Sequence, residues 1–148
     1  MKTIALRFSD NYAPKEGTIK LHEDVINKYG YVYYGKFGNP ILDSYCKEVL
    51  SEKEPRFLLI KSGCQERYWA YIEDITRTID EPEKVPEYYR NKKDTVKCWF
   101  KIIKIELAEK NVMSKCTIIS NGAPLSSASK GSMNPCFKID YDDSMTSE

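Results

Sequence analysis

Eleven tyrosines and two tryptophans stand in a chain of 148 residues, and most of them cluster, at Tyr31/Tyr33/Tyr34, Tyr68/Trp69/Tyr71, Tyr88/Tyr89 and, with a phenylalanine, Trp99/Phe100. Each joins an apolar body to a polar tip, so it suits a core and a pocket wall equally. Other chemistry-bearing residues are sparse. His22 is the one histidine, and no serine or cysteine motif accompanies it, so a packed helix residue is its simpler role. Cys64, near Arg67, is placed for an activated thiol but has no base beside it. Glu73-Asp74 and Asp142-Asp143 are adjacent carboxylates, and strand neighbours face opposite ways, so a solvated surface explains them best. GxGxxG, P-loop, GxSxG and HExxH motifs are absent. A single histidine and no ligand cluster leave no expected metal or cofactor. Without a nucleophile–base pair, no intrinsic catalysis is expected.

Net charge is +1, hydrophobic content 41% and charged content 30%, as for one soluble globular domain with a sizeable core. No run approaches the roughly 20 apolar residues of a membrane span. Five cysteines without a CxxC pair, and no signal-peptide pattern at Met1–Ile4, predict reduced thiols and a cytoplasmic protein. So small a net charge argues against a protein gripping long duplex mainly through phosphates. Local patches remain at Lys92-Lys93, Lys97, Lys101, Lys104 and Lys130, although any single one reads as surface lysine.

These residues need elements to hold them. The stretch Phe57–Ile75 organises the rest: an apolar run Phe57-Leu58-Leu59-Ile60, a polar loop from Lys61 to Arg67, and a second run ending in Ile72. The first run is too short for a helix and suits a strand buried on both faces, and the second suits its hairpin partner. The loop is long enough to be a binding edge. Before it, Ile4, Leu6 and Phe8 alternate as a strand. Thr18 can N-cap a helix to about Tyr29, with Ile19, His22, Val25, Ile26 and Tyr29 on one stripe and Gly30 past its end. Tyr31–Gly38 reads as a strand whose glycines suggest bends or close approach of a ligand. Asn39-Pro40 opens a second helix with Pro40 at its first position, carrying a stripe from Ile41 to Leu50. After the hairpin, 76–90 reads as a loop with a helical turn near Glu87–Arg90. Lys97–Ile105 is a strand, with Cys98, Phe100 and Ile102 on one face and Trp99, Ile103 and Ile105 on the other. Leu107–Lys115 connects, with a turn of helix. Cys116–Ser120 is a short strand, Leu125–Asn134 a serine-rich loop, Phe137/Ile139/Tyr141 a last strand, and 142–148 a frayed acidic tail. The fold class expected is α+β: a small, strongly bent mixed β-sheet or barrel flanked by helices, about six strands and two helices.

The order of these elements carries a resemblance. Arg56–Gly63 followed by Trp69–Ile75 is similar to the hairpin of EVE domains. Tyr31-Val32-Tyr33-Tyr34-Gly35, between two helices, is similar to the stretch that carries a pocket aromatic in EVE and YTH domains. Val96–Ile102 resembles their following strand, and Gly122–Leu125 through Phe137–Ile139 their late loop and last strand. The chain thus resembles the PUA-like superfamily, and within it the EVE and YTH domains, over roughly Ile4 to Tyr141. That implies a single domain at 1–141 with a polar tail at 142–148.

EVE and YTH domains read modified bases, so the resemblance implies an aromatic pocket for a base flipped from its stack or already single-stranded. Tyr33 or Tyr34 would be one wall and Tyr88 or Tyr89 another, with core packing an equal alternative for each pair. Ser9, Asp10, Ser62, Ser120 and Asn121 would hydrogen-bond the base edge, and Lys61, Arg67, Lys92, Lys93 and Lys130 would meet phosphates. The pocket would be bordered by the Lys61–Arg67 and Ser120–Lys130 loops. The partner implied is modified DNA or RNA, and no membrane. In bacteria such domains often serve modification-dependent restriction systems, which implies an NTPase or nuclease effector. Two other readings stand beside this one: an ASCH-like enzyme on nucleosides or RNA using Lys61 with Glu66 or Glu73, and a small-ligand or protein-interaction module.

Overall fold

Alternation in the first strand and the apolar run of the third decide the architecture. In the computed structural model, which describes residues 1–11, 13–63, 65–89, 92, 94–131 and 135–144, the elements run β1 (Lys2–Phe8), α1 (Thr18–Tyr29), β2 (Val32–Lys36), α2 (Asp43–Leu50), β3 (Arg56–Lys61), β4 (Arg67–Thr76), β5 (Cys98–Leu107), β6 (Cys116–Ile118), α3 (Leu125–Gly131) and β7 (Cys136–Tyr141). Short 3-10 turns occupy Pro82–Lys84, Glu87–Tyr89 and Val112–Lys115. The seven strands form one sheet in the order β2-β5-β4-β3-β1-β7-β6. Strand β1 runs parallel to β3, and the other pairings are antiparallel. The β3–β4 hairpin lies in the middle of the order, as expected. The sheet curls strongly: one cavity is lined both by the β2–α2 connection (Lys36, Ile41) and by the far edge (Ile118, Phe137).

Strands with period two bury one side chain set on each face. Ile4, Leu6 and Phe8 of β1 join Phe57 and Leu59 of β3 in a core covered by α1 and α2. Ala5, Leu58 and Ile60 point the other way, against Val112, Leu125 and Ile139. This is why Phe57 to Ile60 is an unbroken apolar run: all four are buried, on alternate faces. A third cluster, Val85, Tyr89, Val96 and Trp99, packs outside β2 and β5.

Several boundaries depart from the expectation. Thr18 is the first helical residue of α1, not its cap; Gly17 precedes it at φ 88°, and the Thr18 N–H is taken by the Asp10 carboxylate at 2.9 Å. A helix N-terminus needs an acceptor for its orphan N–H groups, and here a side chain eight residues upstream supplies it. Gly30 caps the other end in the left-handed region, its N–H on the Ile26 carbonyl. Helix α2 starts at Asp43 rather than Pro40, because Leu42 is extended and Ile41 turns into the core. Residues 125–131, expected as loop, form α3: Leu125 is fully buried and anchors it. Ile105 packs on the same core as Ile102, since register shifts in the β4–β5 pairing interrupt the alternation around Ile103. The count is therefore seven strands and three α-helices among the described residues. Asp142 and Asp143 are tied down, Asp142 N–H on the Lys115 carbonyl and Asp143 on Lys115 and the Tyr141 hydroxyl.

Candidate functional site

Strand alternation splits Tyr33 from Tyr34. Tyr34 turns inward and is 7% exposed, its ring against Phe57 and, at 4.9 Å, against the imidazole of His22. Tyr33 turns outward to the turn at Pro82–Lys84, its hydroxyl 3.5 Å from Glu81, which also accepts from Tyr31 at 2.7 Å. Tyr33 is therefore no wall of the pocket. The 3-10 turn at Glu87–Tyr89 brings Tyr88 and Tyr89 to Tyr34: Tyr89 lies 6.5 Å from Tyr34, and Tyr88 4.4 Å from Tyr89. Tyr89 is almost fully buried and donates its hydroxyl to the Gly35 carbonyl at 3.0 Å. Phe37 stacks on Tyr89 at 5.8 Å and remains 39% exposed at the rim.

Gly35 explains how the rings approach. A Cβ there would sit 2.8 Å from Trp99, 3.0 Å from Tyr89 and 3.1 Å from Val96. The glycine admits this protein's own aromatics, and it also lines the cavity described next.

Together Tyr34, Tyr88, Tyr89 and Phe37 wall a cavity of about 210 Å³, completed by Phe8, Ser9, Thr18, Arg7, Lys36 and Pro135 among others. It is smaller than the roughly 300–1,000 Å³ of drug-sized sites. His22 lies beneath it, fully buried, its Nδ1 2.8 Å from the Thr18 carbonyl and its Nε2 without a hydrogen-bond partner among the described residues. Burial pulls its pKa down to about 4, the Thr18 bond opposing. The neutral ring thus donates through Nδ1 and keeps Nε2 as an acceptor. Burial likewise pushes the Tyr34 and Tyr89 phenols well up, so both stay protonated donors.

Two further cavities flank this one. The first, about 370 Å³, holds Asp10, Lys61 and Glu66 at the start of α1. Lys61 Nζ stands 3.2 Å from Asp10 and 3.6 Å from Glu66. The hydrogen bond from Thr18 N–H is the main reason that the Asp10 carboxyl lies below its usual range, with Lys61 adding to it. The second is a groove of about 430 Å³ lined by Arg7, Lys61, Ser62, Arg67 and Lys130, with no carboxylate in its lining among the described residues. Arg7 lines both this groove and the aromatic cavity, so the two are neighbours along β1. Its guanidinium donates to the Ser129 carbonyl and lies 5.9 Å over Phe137.

Of the residues expected at the site, Ser9, Tyr34, Tyr88 and Tyr89 come together in the aromatic cavity. Asp10 faces the adjacent one. Ser62, Lys61, Arg67 and Lys130 share the basic groove. Ser120 lines the cavity at the sheet edges, which shares only Lys36 with the aromatic one among the described residues, and Asn121 accepts from Ala123 N–H in an exposed turn. Neither lines the aromatic cavity, whose rim is formed by Lys36, Phe37 and Pro135; at the other end of the expected Ser120–Lys130 border, Ser129 and Lys130 line the basic groove beside it. Lys92 lines none of these cavities, and Lys93 and Cys64 lie outside the described residues. Glu73 pairs with Lys101 at 3.4 Å, away from Lys61. Sequence reasoning missed Arg7, Lys36 and Phe37. The signal for Arg7 was a cation on the strand's outward register between Leu6 and Phe8. For Phe37 it was an aromatic just past a strand end.

The Pua-like family matches residues 4–132, and the chain belongs to that family. No curated protein and no solved structure matches it. No helix among the described residues is long and apolar enough to cross a membrane.

Proposed function

We propose that this protein is a non-enzymatic reader of nucleic acid that takes one modified base into the Tyr34/Tyr88/Tyr89 pocket. PUA-like domains are in general nucleic-acid-binding modules. The observation that carries the finer reading is that Arg7 lines both the aromatic cavity and the basic groove. A base stacked on tyrosine gains about 1–3 kcal/mol. The phosphates on either side of it would then follow Arg7 toward Arg67 and Lys130. A non-enzymatic reading is supported by the buried His22, whose pKa near 4 makes it a weak base, and by the Tyr34 phenol, which stays protonated. A modification-dependent restriction or defence system, with an NTPase or nuclease effector, is the setting we infer.

The test is binding of matched single-stranded oligonucleotides, with and without one modified base, to the wild type and to Tyr88→Ala. Preference for a modified strand, lost in the variant, supports the reading. Equal binding of all strands by both proteins removes it.

A second reading has one observation in its favour: Lys61 lies between the carboxylates of Asp10 and Glu66 in a cavity of its own. Turnover of a nucleoside or RNA substrate, abolished in Lys61→Met, would establish an ASCH-like enzyme instead.

A further inference from the structure

We propose that the aromatic pocket selects by charge, accepting an uncharged or anionic heterocyclic base and turning away a cationic one. The inference rests on the reading of this cavity as a base site and adds what that site discriminates. Among the described residues its lining carries two cations, Arg7 and Lys36, and no carboxylate. Lys36 Nζ donates to the backbone carbonyls of Phe37, at 3.3 Å, and Asn39, at 2.5 Å, and forms no ion pair among the described residues. Those carbonyls fix the ammonium at the rim without cancelling its charge. Asp10 is the carboxylate nearest in sequence to the pocket's Ser9. It faces the neighbouring cavity and is engaged by the Thr18 N–H and by Lys61. Glu87, just before Tyr88, is the other acid adjacent in sequence to a lining residue; it is exposed and does not line the cavity. The buried His22 is neutral at physiological pH and adds no negative charge.

Two effects oppose each other here. Tyrosine faces attract a cation through their quadrupole, so aromatic walls alone predict the reverse preference. A cation leaving water also needs compensating negative charge, and this cavity offers two full positive charges instead. Charge–charge terms act at longer range than a ring quadrupole and strengthen as water is displaced, so they decide the order. A neutral base loses nothing to Lys36 and Arg7, and a carboxylated one gains a partner.

The experiment uses three single-stranded oligonucleotides of one sequence, each with a single cytosine replaced. The replacements are 5-methylcytosine (neutral), its isomer 3-methylcytosine (cationic at neutral pH) and 5-carboxylcytosine (anionic). The expected order of affinity is 5-carboxyl at or above 5-methyl, with 3-methyl weaker by about tenfold or more. Lys36→Glu should shrink or reverse the gap between the two methyl isomers, since their different hydrogen-bonding edges are unaffected by that change. Equal affinity for the isomers, or an unchanged gap in Lys36→Glu, overturns charge selection while leaving base reading intact if Tyr88→Ala still weakens binding. Binding of all three strands unaffected by Tyr88→Ala, or binding of none, overturns both.

Discussion

His22 sits under the pocket with one ring nitrogen bonded to Thr18 and the other unpartnered among the described residues, and that makes it a titration point for the whole fold. Unfolded, the ring titrates near 6.5; folded, burial holds it near 4. Between those values the unfolded chain takes up a proton that the folded protein refuses. Stability is thus fully present above pH 6.5 and falls as pH drops toward 4. The ceiling of the loss is ~3 kcal/mol. Urea unfolding at neutral and mildly acidic pH reads it, and His22→Leu should flatten the dependence in that window. The tyrosines offer a second contrast at this scale. Tyr88 is half-buried and walls the pocket, whereas Tyr33 is tied to Glu81 outside it. Tyr88→Ala should weaken oligonucleotide binding about 10- to 100-fold with a small change in melting temperature. Tyr33→Ala should leave binding alone. Alternation required that only one of Tyr33 and Tyr34 face the pocket, but it could not say which. That choice is fixed by pairing: Tyr34 lies opposite Phe100, whose side chain is in the core.

At the scale of elements, strand β2 and the turn before β5 are held together by the contact at Gly35. Gly35→Ala would press on Trp99 and Tyr89, and a well-packed site accepts an added methyl at a cost of about 1–3 kcal/mol. Chemical denaturation should show that loss, and binding should weaken as well, because Tyr89 cannot keep its place. The start of α1 depends on Asp10 in the same way. Asp10→Ala should cost about 1 kcal/mol, and Asp10→Asn much less, since an amide oxygen still caps the helix. Helix α1 was legible because its stripe has the helical period and Gly30 ends it. Helix α3 was not, because Ser126, Ser127 and Ser129 lean toward turns. Burial of Leu125 outweighs them, and that is a tertiary fact. The interruption around Ile103 was equally invisible, since a register shift leaves no mark on composition.

For the whole molecule, a net charge of +1 means that attraction to nucleic acid is local. The groove holds Arg7, Lys61, Arg67 and Lys130, and Lys61 is already shared between Asp10 and Glu66. With about three phosphates neutralised on a single strand, the slope of log affinity against log salt should be no steeper than about −2. Fluorescence anisotropy across a salt series checks this, and a slope several times steeper would mean that backbone contacts dominate over the pocket. The parallel placement of β1 between β3 and β7 has a consequence of its own in time. Ala5 is flanked by Leu58 on one side and Phe137 on the other, and Arg7 N–H bonds the Pro135 carbonyl. Strand pairing across such long stretches of chain forms late and slowly. During synthesis the first strand emerges with neither neighbour, and one flank stays bare until the seventh strand is out. Arg7 acquires its setting, and Pro135 closes the rim, in that same last step. A chain whose seventh strand has yet to dock carries Tyr34, Tyr88 and Tyr89 but no closed pocket, so on the reading proposed above a base can be held only after that step.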